Sequence, residues 1–207
     1  GLTALLKQEE WASLVEGYLE EVAPHCRFLG RVGERLPEFL KTKSNLPYGQ
    51  ICEELASLDW AYLDVFDEED APPLDAEKLL SVPADCWPQV KLVVNPALRI
   101  LELEYPSADF RRQLLQEGFQ NTLPEPIAPY FLVIYRRQGK LWDKSLSRPA
   151  GIFLQRLQQG DELAVACQNV VEQCPEAEQS LEDQLSEWMQ LWGTLEWIVD
   201  LKYELER

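Results

Sequence analysis

A chain of 207 residues, 46% hydrophobic and with seven tryptophans, can bury a sizeable core, which excludes wholesale disorder. Its 36 acidic and 19 basic side chains leave a formal net charge of -17, which argues against tight association with nucleic acid or an anionic membrane, since both carry the same sign. No apolar run approaches the ~20 residues of a bilayer crossing, and the longest, Phe131 to Tyr135, has the length of a strand.

In chain order, Trp11, Leu14, Val15, Tyr18 and Leu19 recur at helical spacing and predict a helix ended by Pro24. Phe28, Val32, Leu36, Phe39 and Leu40 predict a second helical stretch that Pro37 interrupts, and Asn45-Leu46-Pro47 reads as a turn. Ile51, Leu55, Leu58, Tyr62 and Phe66 mark a strong amphipathic helix, stopped by the acidic run Asp67 to Asp70 and by Pro72-Pro73. Ala76 to Leu80 reads as a short helix with Asp75 as its N-cap.

Residue character changes near Pro83. Alternating and β-branched residues between Val90 and Tyr105 predict two strands separated by Asn95-Pro96. The link from Pro106 to Pro129 holds a helical piece around Phe110 to Leu115 and a Pro-rich exit. Tyr130 to Arg136 and Lys140 to Leu146 predict a hairpin about Gln138-Gly139. Pro149 opens a helix carrying Ile152, Phe153, Leu154 and Leu157, with Gly160 as its C′ residue. Asp161 starts another, with Leu163, Ala166, Val170 and Val171 inside. Ser180 and Asp183 give a capping-box pattern for a third, bearing Leu181, Leu185, Trp188, Met189 and Trp192. Leu195 to Glu204 alternates as a closing strand. The fold class expected is α+β: a helical N-terminal domain, residues 1–82, then a winged-helix-like C-terminal domain with a small antiparallel sheet, residues 83–207.

Catalytic motifs are missing from this pattern. The single histidine, His25, beside Cys26, cannot supply a His-rich metal site, and no P-loop, dinucleotide fingerprint or G-x-S-x-G occurs. Leu29 to Gly33 is Gly-rich but follows no strand. Five widely spaced cysteines without a C-x-x-C read as reduced intracellular thiols packed as small hydrophobes. No charged-then-apolar signal pattern opens the chain, so a cytoplasmic location is expected, and Gly1 in place of an initiator Met points to trimming or tagging. The residues therefore predict a binding protein with no catalytic residue, no metal and no cofactor of its own.

Two binding modes remain. Winged-helix order invites DNA, but Leu157 to Leu201 contains no Lys or Arg, and the candidate recognition helix carries Glu182, Asp183 and Glu187. A central basic group, Arg111, Arg112, Arg136, Arg137, Lys140, Lys144 and Arg148, could form a patch or simply cover a sheet edge. The hairpin offers the other mode, an open edge that takes an extended peptide as an extra strand. Its candidate peptide-binding residues are Tyr130, Phe131, Val133, Tyr135 and Trp142, with Tyr130 to Tyr135 as the edge. Each of these aromatics is equally accounted for as core.

Four blocks in series resemble a bacterial family. They are Phe28-Leu29-Gly30 through Pro37-Glu38-Phe39-Leu40; Glu54 to Ala61, with Leu58 and Trp60; Asp70-Ala71-Pro72-Pro73-Leu74-Asp75; and Trp87-Pro88, Asn95-Pro96-Ala97-Leu98-Arg99 and Tyr105-Pro106. The chain is thereby identified as similar to the HvfC/BufC peptide-modification chaperones, a family akin to the MbnC partner protein of methanobactin biosynthesis and once labelled a DNA-binding domain. The resemblance implies a heterodimer with a multinuclear non-heme iron oxidase, the oxidase holding the metals. It also implies a ribosomally made, Cys-containing precursor peptide as second partner, modified to a copper-binding product. Trp60 and Trp87 would hold the fold. Where the family has His-Pro-Ser, this chain has Asn95-Pro96-Ala97, so no histidine role carries over. Neither nucleic acid nor membrane is an expected partner, and a winged-helix DNA-binding regulator is the alternative.

Overall fold

The computed structural model describes residues 1–22, 29–43, 48–116 and 122–203. The helices are α1 (Leu2–Leu5), α2 (Gln8–Glu21), α3 (Leu36–Lys41), α4 (Gly49–Asp67), α5 (Ala76–Leu80), α6 (Ser107–Leu114), α7 (Arg148–Gln158), α8 (Leu163–Gln173) and α9 (Leu181–Thr194). The strands are β1 (Lys91–Val94), β2 (Leu98–Leu103), β3 (Tyr130–Arg137), β4 (Lys140–Leu146) and β5 (Ile198–Lys202). The class is α+β, and the strands form two small sheets, β1-β5 and β2-β3-β4. Two compact units result: Gly1–Leu63 with Leu103–Pro129, and Asp64–Glu102 with Tyr130–Arg207. The change of residue character near Pro83 falls inside the second unit. No described helix is long and apolar enough to cross a membrane. Pro24, His25, Cys26, Phe28, the Asn45-Leu46-Pro47 turn and Glu204 lie outside the described residues.

In the first unit, α2 buries Leu14 and Tyr18. The Tyr18 hydroxyl donates to the Val32 carbonyl at 2.5 Å, and its ring meets Phe39 edge-on at 5.4 Å. The stretch expected as one interrupted helix is a 3-10 turn, Leu29–Arg31, followed by α3. Pro37 sits in the first turn of α3, where its missing N–H has no helical partner to lose, so it opens the helix rather than interrupting it. Helix α4 buries Ile51, Leu55 and Leu58 as expected, but the apolar stripe continues through Val65, and Phe66 is 64% exposed. The 3.6-residue period had drifted past Phe66 by that turn.

Among the described residues Glu54 is the buried acid of this unit. Its carboxylate accepts from the backbone N–H of Glu104 at 2.7 Å and of Tyr105 at 3.3 Å, and from the Ser107 hydroxyl. Burial pushes its pKa above the ordinary carboxylate value, and these hydrogen bonds oppose that rise. One side chain thereby satisfies the turn that leads into α6.

The second unit begins in the last turn of α4. Arg136 donates to the carbonyls of Val65 at 3.1 Å, Phe66 at 2.5 Å and Glu68, and to the Asp70 carboxylate at 2.8 Å. A helix C-terminus leaves carbonyls unsatisfied and carries partial negative charge, so one guanidinium caps it on both counts. Asp75 caps α5 as expected, accepting from Glu77 N–H at 2.9 Å.

The core of this unit is aromatic. Phe153, Trp188, Trp192 and Trp197 lie with neighbouring ring centroids 5.8 to 6.0 Å apart, and Tyr135 meets Trp197 edge-on at 5.1 Å. Helix α7 approaches β3 through Gly151: a Cβ there would lie 2.0 Å from Cγ of Phe131. Helix α8 begins two residues after Asp161, whose carboxylate pairs with Arg156 at 2.6 Å instead of capping.

The expected capping box at Ser180 does not form, because the Ser180 hydroxyl turns back to the Ala177 carbonyl. Helix α9 ends at Leu195 with Glu196 in the left-handed region, φ +61. Glu196 N–H donates to Gly193, Trp197 N–H donates to Trp192, and the two indoles stack, which is a Schellman ending with its hydrophobic contact. Asn95 ties this turn down: its side chain donates to the Glu196 carbonyl at 2.9 Å and accepts from Ala97 N–H at 2.9 Å. Strict alternation in β5 also fails. A register shift between Val93 and Val94 of β1 lets Ile198 and Leu201, three residues apart, both be buried.

Candidate site on the outer strand of a three-stranded sheet

Gln138 and Gly139 both have positive φ, +53 and +68, so the β3–β4 hairpin closes with a two-residue turn of mirror-image type. The register then runs Arg137↔Lys140, Tyr135↔Trp142, Val133↔Lys144 and Phe131↔Leu146. In such a hairpin the pair flanking the turn is hydrogen-bonded, and bonded pairs alternate from there. Lys140, Trp142, Lys144 and Leu146 therefore spend their backbone groups on β3. Leu141 and Ser145 aim theirs away from it.

That geometry relocates the peptide edge expected from the sequence. Tyr130 to Tyr135 is not an edge: β3 lies between β2 and β4, and both of its ladder sides are occupied. Phe131 and Val133 are 1% and 0% exposed, Tyr135 is buried against Trp197, and Tyr130 is half-buried. Leu132 and Ile134, on the opposite face of β3, are buried too. A strand covered on both faces reads as a continuous apolar run, which is why it stood out as the longest in the chain. Of the candidate peptide-binding residues only Trp142, 51% exposed, is on the outside. It belongs to β4, the last strand of its sheet among the described residues.

Tyr135, Arg137, Gln138, Lys140 and Trp142 line a cleft of about 200 Å³ at the turn end of β4. Pleating puts Lys140, Trp142 and Lys144 on one face and Asp143 on the other. Neither Lys140 nor Lys144 pairs with a carboxylate among the described residues. Most of the other basic candidates do: Arg111 with Asp59 at 2.7 Å, Arg112 with Asp109, Arg136 with Asp70, and Arg148 with Glu102 at 2.7 Å. Arg137 lies 4.0 Å from Glu196. These ion pairs leave exposed Lys140 and half-buried Lys144, on either side of exposed Trp142, as the cations of the strand without a carboxylate partner among the described residues. The sequence carried that signal as the alternation Lys-x-Trp-x-Lys. Only the strand order gives it an open side.

The residues carrying the family resemblance sit elsewhere and serve architecture. Leu58 and Leu98 are fully buried, and Trp60 is half-buried, its ring so close to Gly33 that a Cβ there would lie 3.3 Å from it. Trp87 packs against the aromatic core. Asp70 is held by Arg136, and Arg99 pairs with Glu68 at 3.1 Å and donates to the Pro96 carbonyl at 2.7 Å. Tyr105 N–H bonds to Glu54, Pro106 is the N-cap residue of α6, Pro72 stands exposed in an irregular segment and Pro96 stands exposed at a turn. Among the described residues no group of three or more His, Cys, Asp or Glu could hold a metal ion. Burial raises the thiol of Cys52 to about 11, with Glu10 adding to the rise, and burial raises those of Cys167 and Cys174 as well, so these thiols stay protonated at neutral pH. No family model matches the chain, and neither does any curated protein.

Proposed function

We propose that this chain is a non-catalytic partner of a multinuclear non-heme iron oxidase in the cytoplasm, and that it holds a ribosomally made, Cys-containing precursor peptide for modification to a copper-binding product. The partner oxidase and the copper product come from the resemblance to the HvfC/BufC family alone. The observation that carries the peptide role is the outer strand β4, with backbone donors and acceptors at Leu141 and Ser145 facing away from the sheet and Trp142 exposed beside them. An extended peptide gains main-chain hydrogen bonds along such an edge. In this reading α7 to α9 and β5 form a winged-helix-like scaffold behind the sheet, and its tryptophans are core.

The alternative, a DNA-binding regulator, needs unpaired cations on α9, and the stretch from Leu157 to Leu201 has no Lys or Arg. Co-expression with an adjacent oxidase gene, capture on a tagged copy of this chain and iron analysis of the complex test the main reading. A stoichiometric iron-loaded complex is expected. A chain that emerges alone, yet retards duplex DNA at low salt, would replace it with the alternative.

A further inference from the structure

We propose that the segment taken up on β4 is an acidic one, with a carboxylate on each side of an apolar residue at alternate positions, acidic-x-apolar-x-acidic. The inference rests on the strand-addition reading and adds a sequence class to it.

The pattern follows from what β4 presents. Lys140, Trp142 and Lys144 fall on one face of the outer strand at alternate positions. The two ammonium-bearing residues are therefore about 13 Å apart along the strand, with the indole midway. A strand laid against β4 directs every second side chain onto that same face. Its middle residue lies against the Trp142 ring at the mouth of the cleft formed with Tyr135, Arg137 and Lys140, and its outer two lie beside the lysines. An apolar residue suits the first position and carboxylates the other two. The charge pattern reads the same in both directions, so parallel and antiparallel addition select the same peptide.

The field of the whole molecule points the other way. At a net charge of -17, long-range attraction favours a basic peptide. A preference for acidic peptides must therefore come from the two lysines at contact range. At about 0.15 M salt the screening length is about 8 Å, so local charges dominate and the two effects separate.

The test uses the full chain and three fluorescently labelled peptides of about nine residues that differ only at the two flanking positions, both Glu, both Gln or both Lys, around a central Leu. Anisotropy titrations at about 0.15 M salt give the affinities. Opposite-charge cross-strand pairs contribute modestly, so the Glu peptide is expected to bind about fivefold tighter than the Gln peptide and more than tenfold tighter than the Lys peptide. The charge-reversed chain Lys140→Glu with Lys144→Glu is expected to invert the order. Lys140 is exposed and Lys144 half-buried, and circular dichroism verifies that this chain folds.

Ser145→Pro, which removes an outward N–H without touching the β3 ladder, is expected to weaken all three peptides. Equal binding of the three peptides, all lost in Ser145→Pro, would overturn the acidic preference and leave strand addition standing. Binding that ignores Ser145→Pro, or no binding at all, would remove strand addition and this inference with it.

Discussion

Replacing Gly151 by alanine separates local preference from tertiary packing. Position 151 is inside α7, where alanine is favoured over glycine by about 1 kcal/mol. On helix propensity alone the substitution stabilises. In the folded chain the new Cβ would lie 2.0 Å from Cγ, 2.1 Å from Cδ2 and 2.5 Å from Cβ of Phe131. Two of those atoms are at or beside the backbone of a central strand, and Phe131 is 1% exposed, so the ring has no free space to turn into. Either α7 moves off the sheet or β3 shifts. Overpacking of this kind costs roughly 1–3 kcal/mol and more where backbone must yield, so the upper end applies. Net of propensity, Gly151→Ala is expected to destabilise by about 2 kcal/mol.

Urea unfolding followed by near-ultraviolet circular dichroism reads this directly, because the stacked indoles of Trp188, Trp192 and Trp197 are in the same unit. The pair Gly151→Ala with Phe131→Ala, which removes Cγ and Cδ2, is expected to lose less stability than the two single substitutions added together. A Gly151→Ala chain as stable as the parent, or a double variant less stable than the sum of the singles, would refute the close approach of α7 to β3.

Glu54→Gln leaves one oxygen where two accepted three hydrogen bonds, and a loss of about 1–3 kcal/mol is expected from the buried donors left over. The sign of its pH effect also follows. The folded-state pKa is raised, so the native state holds the proton more tightly, and that contribution to stability is present below the unfolded carboxylate pKa and fades as pH rises through the folded one. Stability titrated upward from the ordinary carboxylate range should show this decline in the parent and lack it in Glu54→Gln; identical profiles would refute the assignment. Glu196→Gly relieves a left-handed backbone at φ +61 and is expected to raise the urea midpoint by the equivalent of about 0.5–1 kcal/mol, whereas a lowered midpoint would mean that the contact with Arg137 outweighs the strain. Cys52, with its thiol raised to about 11, is expected to resist alkylation at pH 8 until the chain unfolds; mass-spectrometric labelling of native protein at Cys52 would contradict its burial.

Much of the local structure could be read from residue order, because helix and strand periods are local properties. The bounds of α5 and its Asp75 cap, the two-residue turn at Gln138-Gly139 and the glycine past α7 all follow from neighbouring side chains. Where the reading failed, the cause was local in some places and distant in others. Phe66 belongs to a helical period but is exposed, the Ser180 hydroxyl found a closer acceptor behind it, and the shift in β5 is set by β1, about a hundred residues upstream.

The same division governs the candidate site. Residue order alone determined a strongly acidic chain, a basic-free stretch from Leu157 to Leu201, and a lysine on either side of Trp142 at strand spacing. It also marked the blocks of family resemblance, which in the folded chain are buried residues, caps and turns. Which strand has an open side was not in those patterns. Strands β3 and β4 each look like an aromatic edge when read singly, and only the arrival of β2, some thirty residues upstream of the hairpin, covers one of them. Pairing along a sheet is a relation between segments, so it is fixed when the chain folds. It made Tyr130 to Tyr135 the interior of the sheet and left Lys140 to Leu146 as the surface strand.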